Sequence, residues 1–345
     1  MNTILGVNPR CPPATDGEIA AINLESARRR AWSHFAQDPR RQGAAEDVVD
    51  HERLAAQFLG DLDALERLDE LVSQFARVDD SYRGALVSAE IASTGHRFDD
   101  ARDQLGRAAR LGGPPEAIEH QALALDQACG VKLDAVLAAR RRIAAASGRL
   151  EDFVPLGAML ADLESFDEAD TVYQQAFYSY EGISPFPLAW VSFQLGMLWG
   201  ELAPIPDQDR AALWYRRAIA YLPGYVKARV HLAEICVSQD QTGDAETLLR
   251  PALSSRDPEV RWRLADVMVA QRRLDEAETQ LGAARFGFDE LLRRYPLAFA
   301  DHAAEFYAGS GNDCQRALEL ARTNAANRPT RRAVKQAQTI EARCR

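Results

Sequence analysis

Two pairs of residues in this chain have the type and spacing to hold a metal ion or move a proton. His231 and Glu234, and again His302 and Glu305, stand three residues apart, which on a helix puts an imidazole and a carboxylate on one face. Asp266 falls between the two pairs in sequence. Such a pair can share a divalent ion, yet a solvated charged helix face gives the same spacing more often, so the expectation is neither metal nor cofactor. Signatures with defined mechanics are missing: the sequence has no phosphate-binding loop, no Gly-x-Ser-x-Gly and no His-Glu-x-x-His. The five cysteines, Cys11, Cys129, Cys236, Cys314 and Cys344, form an odd, scattered set without a Cys-x-x-Cys, which reads as reduced thiols of a cytoplasmic protein. A chain without catalysis of its own is expected.

The elements that would position these residues are helices. Apolar and small residues recur at helical spacing almost throughout, and alternating runs rich in Val, Ile and Thr are missing. Clusters such as Leu111-Gly112-Gly113-Pro114-Pro115 and Ala203-Pro204-Ile205-Pro206-Asp207 punctuate helices of ordinary length. An acidic-Ala pair returns at Asp100-Ala101, Asp134-Ala135 and Glu168-Ala169, 34 residues apart each time, and the interval recurs from Ala211 to Ala245. A period of that length marks a two-helix repeat whose units bury their apolar faces only by stacking.

Bulk properties narrow the partner. A hydrophobic fraction of 47% and a charged fraction of 27% support a packed core rather than a disordered chain. The net charge of -10 and a pI near 5.2 oppose nucleic acid as a general partner. No window approaches the roughly 18 apolar residues of a membrane span, and the first residues show no export signal, so no membrane partner is expected. The basic clusters Arg28-Arg29-Arg30, Arg140-Arg141-Arg142 and Arg328, Arg331, Arg332, Lys335 lack interleaved aromatics and read as solvated outer helix faces.

The pattern resembles the tetratricopeptide repeat family. Leu195-Gly196, Trp199, Ala211, Tyr215, Ala218 and Pro223 match the family's motif most fully. Leu232-Ala233, Cys236, Ala245, Leu249 and Ala252 follow it, as do Leu264-Ala265, Met268, Ala277, Leu281 and Ala284, and Leu156-Gly157, Leu160, Ala169, Tyr173 and Ala176. The resemblance implies an all-α, right-handed α-solenoid of stacked helix-turn-helix repeats. It divides the chain into an N-terminal extension with a capping helix (1–43), a divergent repeat (44–80), about seven repeats (81–329) and a C-terminal capping helix (330–345). Residues 1 to about 13 read as extended, with Asp16 as an N-cap. Two intervals exceed the period: Ala169 to Ala211 is 42 residues and Ala277 to Ala317 is 40. The surplus falls in Tyr178 to Pro187 with Glu201 to Gln208, and in Phe286 to Tyr295; these are surface insertions of the kind that gather on a binding face.

In that family the first helix of each pair lines a groove. The matching positions are Arg83, Glu90, His120, Trp190, Phe193, Met197, Val230, Glu234, Trp262, Asp266, Asp301 and Glu305. They suggest an exposed aromatic and methionine middle with an acidic C-terminal half, suited to a peptide carrying apolar and basic residues. The Lys and Asn with which some members grip a C-terminal carboxylate are replaced here by Val, Glu, Trp and Asp. The expected function is a non-catalytic interaction scaffold or adaptor; a ligand-responsive regulatory sensor and a metal-handling or enzyme-accessory protein are the alternatives.

Overall fold

The computed structural model describes residues 11–345; the first ten, which include most of the stretch expected to be extended, lie outside the described residues. Among those residues the secondary structure is helical with no strand. In chain order the helices are α1 (Gly17–Gln37), α2 (Ala44–Leu59), α3 (Ala64–Phe75), α4 (Tyr82–Thr94), α5 (Phe98–Arg110), α6 (Pro115–Ala128), α7 (Leu133–Ser147), α8 (Leu150–Asp162) and α9 (Phe166–Tyr178). They continue as α10 (Pro185–Met197), α11 (Gln208–Tyr221), α12 (Val226–Ser238), α13 (Thr242–Leu249), α14 (Pro258–Ala270), α15 (Leu274–Arg294), α16 (Ala300–Ala308), α17 (Cys314–Asn327) and α18 (Arg331–Arg343). Asp16 caps α1, its carboxylate accepting from the Glu18 and Ile19 amides at 2.9 and 3.1 Å.

Successive helices pack as pairs, and two sequence features explain why. Ala101, Ala169, Ala211, Ala245, Ala277 and Ala317 each stand fourth in the second helix of a pair and are buried, because a methyl is all that the crossing admits. In α7 the fourth residue is Val136, which is buried while Ala135 is exposed, so the acidic-Ala match at Asp134-Ala135 is one residue out of register. The turn inside a pair is left-handed: His96, Glu164, Asp240, Arg272 and Asn312 all have φ between 48° and 63°. After four of them the next amide reaches five residues back, as in Arg97 N to Ala92 O at 2.8 Å and Arg273 N to Met268 O, also at 2.8 Å, which satisfies carbonyls the helix end leaves open.

The chain forms two compact units, each discontinuous in sequence: one takes in the chain up to Ala20 with Leu137–Pro223, the other Ala21–Val136 with Gly224–Arg345. The first is built around α8 to α11, with Tyr173, Phe177, Leu188, Val191, Leu195 and Trp214 in its core. Tyr221 Oη donates to the Pro12 carbonyl at 2.9 Å, fastening the chain before α1.

In the second unit the turns of residues 21–136 dock on those of residues 224–345, step by step. Phe58 meets Tyr225 edge to face at 4.8 Å, and the Arg256 amide donates to the Gly60 carbonyl at 3.1 Å. Arg294 pairs with Glu66 at 2.9 Å, and Asn327 donates to the His96 carbonyl at 3.0 Å. The surplus residues Phe286 to Tyr295 are therefore no loop. They lengthen α15 to 21 residues, with Phe288 in the core and Arg294 reaching α3.

Each of the clusters read as solvated faces is partly interior, Arg328 of the last one pairing with Asp301. Arg28 is 17% exposed and binds Glu52, Asp61 and Glu25; Arg140 is 5% exposed, and burial pulls its pKa down. One cysteine pair also departs from expectation: Cys314 and Cys344 are joined in a disulfide, with Cα atoms 5.5 Å apart, while Cys11, Cys129 and Cys236 take part in no disulfide. The bridge removes the thiol-based argument for the cytosol, since disulfides persist mainly in oxidising compartments. Among the described residues no helix is long and apolar enough to cross a membrane.

Candidate functional site

The second unit carries a continuous row of polar side chains along α12, α14, α16 and α18. The local sequence sets it up: each of the first three helices has one face of Val, Leu, Ala or aromatic residues in the core, which leaves charged residues on the other. From α14, Arg263 reaches Glu234 of α12 at 2.5 Å and lies 3.6 Å from Asp266. His231 Nδ1 sits 3.1 Å from Glu234. Trp262 Nε1 donates to Ser310 Oγ at 3.1 Å, and Ser310 donates onward to Asp266 at 2.6 Å. Between α14 and α16, His302 Nδ1 meets Glu259 at 3.0 Å, and its Nε2 lies 3.9 Å from Asp301. Asp301 binds Arg328, and Gln336 of α18 donates to Glu305 at 2.6 Å.

The electrostatics follow from that packing. Burial opposes charge on His302, but Glu259 and Asp301 outweigh it and push its pKa up to about 9. Burial also opposes ionisation of Glu259 and Asp301; His302 holds Glu259 well below the usual range, and with Arg328 it holds Asp301 at about 2. Burial raises Asp266 and Glu305, although both keep access to water. His96, across the docked turns, is pulled down to about 4 by burial and then by Arg328, and its Nδ1 lies 3.2 Å from the Leu297 carbonyl.

These shifts set a pH dependence with two limbs. A histidine whose folded pKa is raised stabilises fully below its unfolded value, and that stability is lost as pH climbs through the folded one, here from 6.5 to about 9. The His302 side chain is 35% exposed, so the contribution is discounted to about 1–2 kcal/mol. His96 acts in the opposite sense: its neutral form is favoured in the fold, and stability falls as pH drops from 6.5 toward 4. Urea unfolding across this range should show a maximum near neutrality, and His302→Gln should flatten the alkaline limb. An unchanged limb in that variant would overturn the assignment.

The structure separates the expected groove residues. Trp190, Phe193 and Met197 belong to the first unit; the other nine belong to the second. Phe193, Met197, Val230 and Trp262 are 7%, 8%, 0% and 4% exposed, so they are core rather than open anchors. Phe193 packs on Tyr215, and Trp262 is closed in by Phe288, Phe306 and the Arg263 guanidinium 3.5 Å above its ring. Trp190 is half-buried against the first unit's core, and His120 is exposed. Arg83 pairs with Glu46 at 3.2 Å, and Glu90 pairs with Arg53. Glu234, Asp266, Asp301 and Glu305 do line one face, but each has a protein partner. Reading the sequence missed Glu259, which takes His302 away from Glu305; its signal was a carboxylate at the start of α14 opposite a histidine at the start of α16.

In the first unit the Glu201 to Gln208 stretch completes a π-helical turn (Leu198–Leu202), continues as a loop and enters α11 at Gln208. It borders an open groove of about 390 Å³ lined by Phe166, Trp199, Pro204 and Ile205 beside Glu164 and Asp167. Arg210 stacks 3.9 Å over Trp199, whose Nε1 donates to Asp170 at 2.8 Å.

No family model matches the chain, and no curated protein matches it. Solved structures of similar arrangement do. A tetratricopeptide repeat protein from Parabacteroides merdae is 12% identical, with 76% of this chain and 100% of that one covered and a TM-score of 0.43. The apo form of the quorum sensor NprR from B. thuringiensis is also 12% identical over 95% and 98%, with a TM-score of 0.45. YrrB, described as a TPR protein with an unusual peptide-binding site, is 17% identical over 58% and 98%, with a TM-score of 0.32. Likeness at this level carries no functional argument. On its own helix pairs, with Gly157 and Gly196 held against Tyr173 and Tyr215, the chain is an all-α protein of tetratricopeptide-like helix-turn-helix repeats.

Proposed function

We propose that this chain is a non-catalytic interaction scaffold, an adaptor whose second unit receives a peptide or protein segment along α12, α14 and α16. One observation supports this reading above the others: three successive first helices present partly exposed charged side chains, Lys227 and Glu234, Arg263 and Asp266, His302 and Glu305, linked from helix to helix. Repeat arrays use such a row as an extended recognition surface. Glu234, Asp266 and Glu305 favour Arg or Lys on the ligand, while Arg263 and His302 keep the row from being uniformly acidic. Because Trp262 is buried, apolar ligand residues would be met by the aliphatic parts of these side chains.

A displayed peptide library panned on the purified protein tests the reading. Peptides carrying basic and apolar residues should be enriched and should bind Glu305→Lys at least about tenfold more weakly, a loss of about 1.4 kcal/mol. Glu305 is exposed, so circular dichroism of that variant should match wild type. No enrichment, or equal binding by a folded variant, would sink the proposal.

A further inference from the structure

We propose that the Cys314–Cys344 disulfide is a redox latch that holds the C-terminal helix α18 in place and can be opened by a dithiol in the folded protein. The bridge joins the first residue of α17 to the residue that ends α18, 30 positions apart. Apart from it, α18 buries two of its 13 residues. Ala333 and Ile340 are its buried residues, Ala337 packs beside them, and Gln336 donates to Glu305 at 2.6 Å and to the Asp301 carbonyl at 3.2 Å and accepts from Asn324 at 3.1 Å.

The placement of the sulfurs favours exchange. Cys314 is exposed and Cys344 half-buried, so an incoming thiolate has access. Arg343 and Arg345 flank Cys344 in sequence and favour a departing thiolate there, whereas the N-terminus of α17 that Cys314 opens is already capped by the Asp313 carboxylate, which accepts from the Arg316 amide at 3.1 Å. The step balances with a dithiol as co-reactant. One thiolate of the reductant attacks a Cys sulfur and breaks the S–S bond. Its second thiol resolves the mixed disulfide. The chain takes up two electrons and two protons to give two thiols, and the reductant leaves as its own disulfide. Opening the loop returns chain entropy to the detached helix and uncovers the end of the polar row at Glu305. The inference concerns α18 alone and stands whether or not that row binds a peptide.

Amide hydrogen exchange of residues 331–343, followed by mass spectrometry with and without dithiothreitol under native conditions, tests it. Reduction should speed exchange in α18 by about a hundredfold while the core of the second unit stays protected. A Cys314→Ser, Cys344→Ser double variant should exchange fast in both conditions. Three results would overturn the latch: five free thiols in protein purified without reductant, α18 protection unchanged after confirmed reduction, or a bond that yields to dithiothreitol only once the protein is unfolded.

Discussion

Replacing Glu52 with alanine should cost the second unit about 3–5 kcal/mol, the range for leaving a buried charge pair half-broken. Glu52 is fully buried, and both its oxygens are used. One accepts from Arg67 Nε and Nη2 at 2.9 and 2.7 Å, and the other accepts from Trp32 Nε1 at 2.7 Å. Arg28 lies 3.4 Å away and shares Asp61 with Arg67. Removing the carboxylate leaves an indole N–H without an acceptor and two guanidinium groups sharing Asp61, with Glu25 the further partner of Arg28. Water reaches part of Arg67 and Asp61, each 29% exposed, so Asp61→Ala should cost only about 1–2 kcal/mol. Glu52→Gln, which keeps an acceptor for Trp32, should fall between the two. Urea denaturation measures all three, and a Glu52→Ala variant within about 1 kcal/mol of wild type would contradict the account.

The first unit should be most sensitive at two glycines. A β-carbon on Gly196 would stand 2.5 Å from Tyr215 Cδ1, and one on Gly157 would stand 2.5 Å from Tyr173 Cε1. Both rings are 1% exposed and closed in by neighbours, so neither can swing aside; helix pairs α8–α9 and α10–α11 must separate instead. Gly196→Ala or Gly157→Ala should therefore destabilise by about 2–3 kcal/mol despite better helix propensity. Gly243 and Gly282 supply the internal control. Both lie in helices with open space where the methyl would go, so alanine there should stabilise by about 0.5–1 kcal/mol. Thermal unfolding that moved all four variants in one direction would refute the packing argument.

What could be read from the sequence was whatever packing makes local. Ala211, Tyr215 and Gly196 were legible because a helix crossing leaves room for few side chains, and those few recur at fixed offsets. The slip at Ala135 arose because Asp-Ala also suits an exposed first turn, and nothing in one chain distinguishes the two. Trp262 and Phe193 were assigned to the correct helices and the wrong environment: spacing gives the face of a helix, but not what lies over it, here Phe306 and Arg263 for the one and Tyr215 for the other. The remaining partners lie far along the chain. Glu259 is 43 residues from His302, Glu52 is 24 from Arg28, and the two bridged cysteines are 30 apart. No short-range signal announces pairs of that kind.

The docked turns of the second unit also bear on how the protein is made. In an open array each repeat gains its stability from the one beside it, so segments can fold in the order they are synthesised and be trimmed from either end by degrees. Here Phe58 awaits Tyr225, Glu66 awaits Arg294, and His96 awaits Asn327. The early helices must persist, incompletely stabilised, until much later stretches have left the ribosome, Tyr225 for Phe58 and, 231 residues on, Asn327 for His96. Contacts of such long sequence separation slow folding and make it more nearly all-or-none, and a chain cut short after residue 223 would strand its first half.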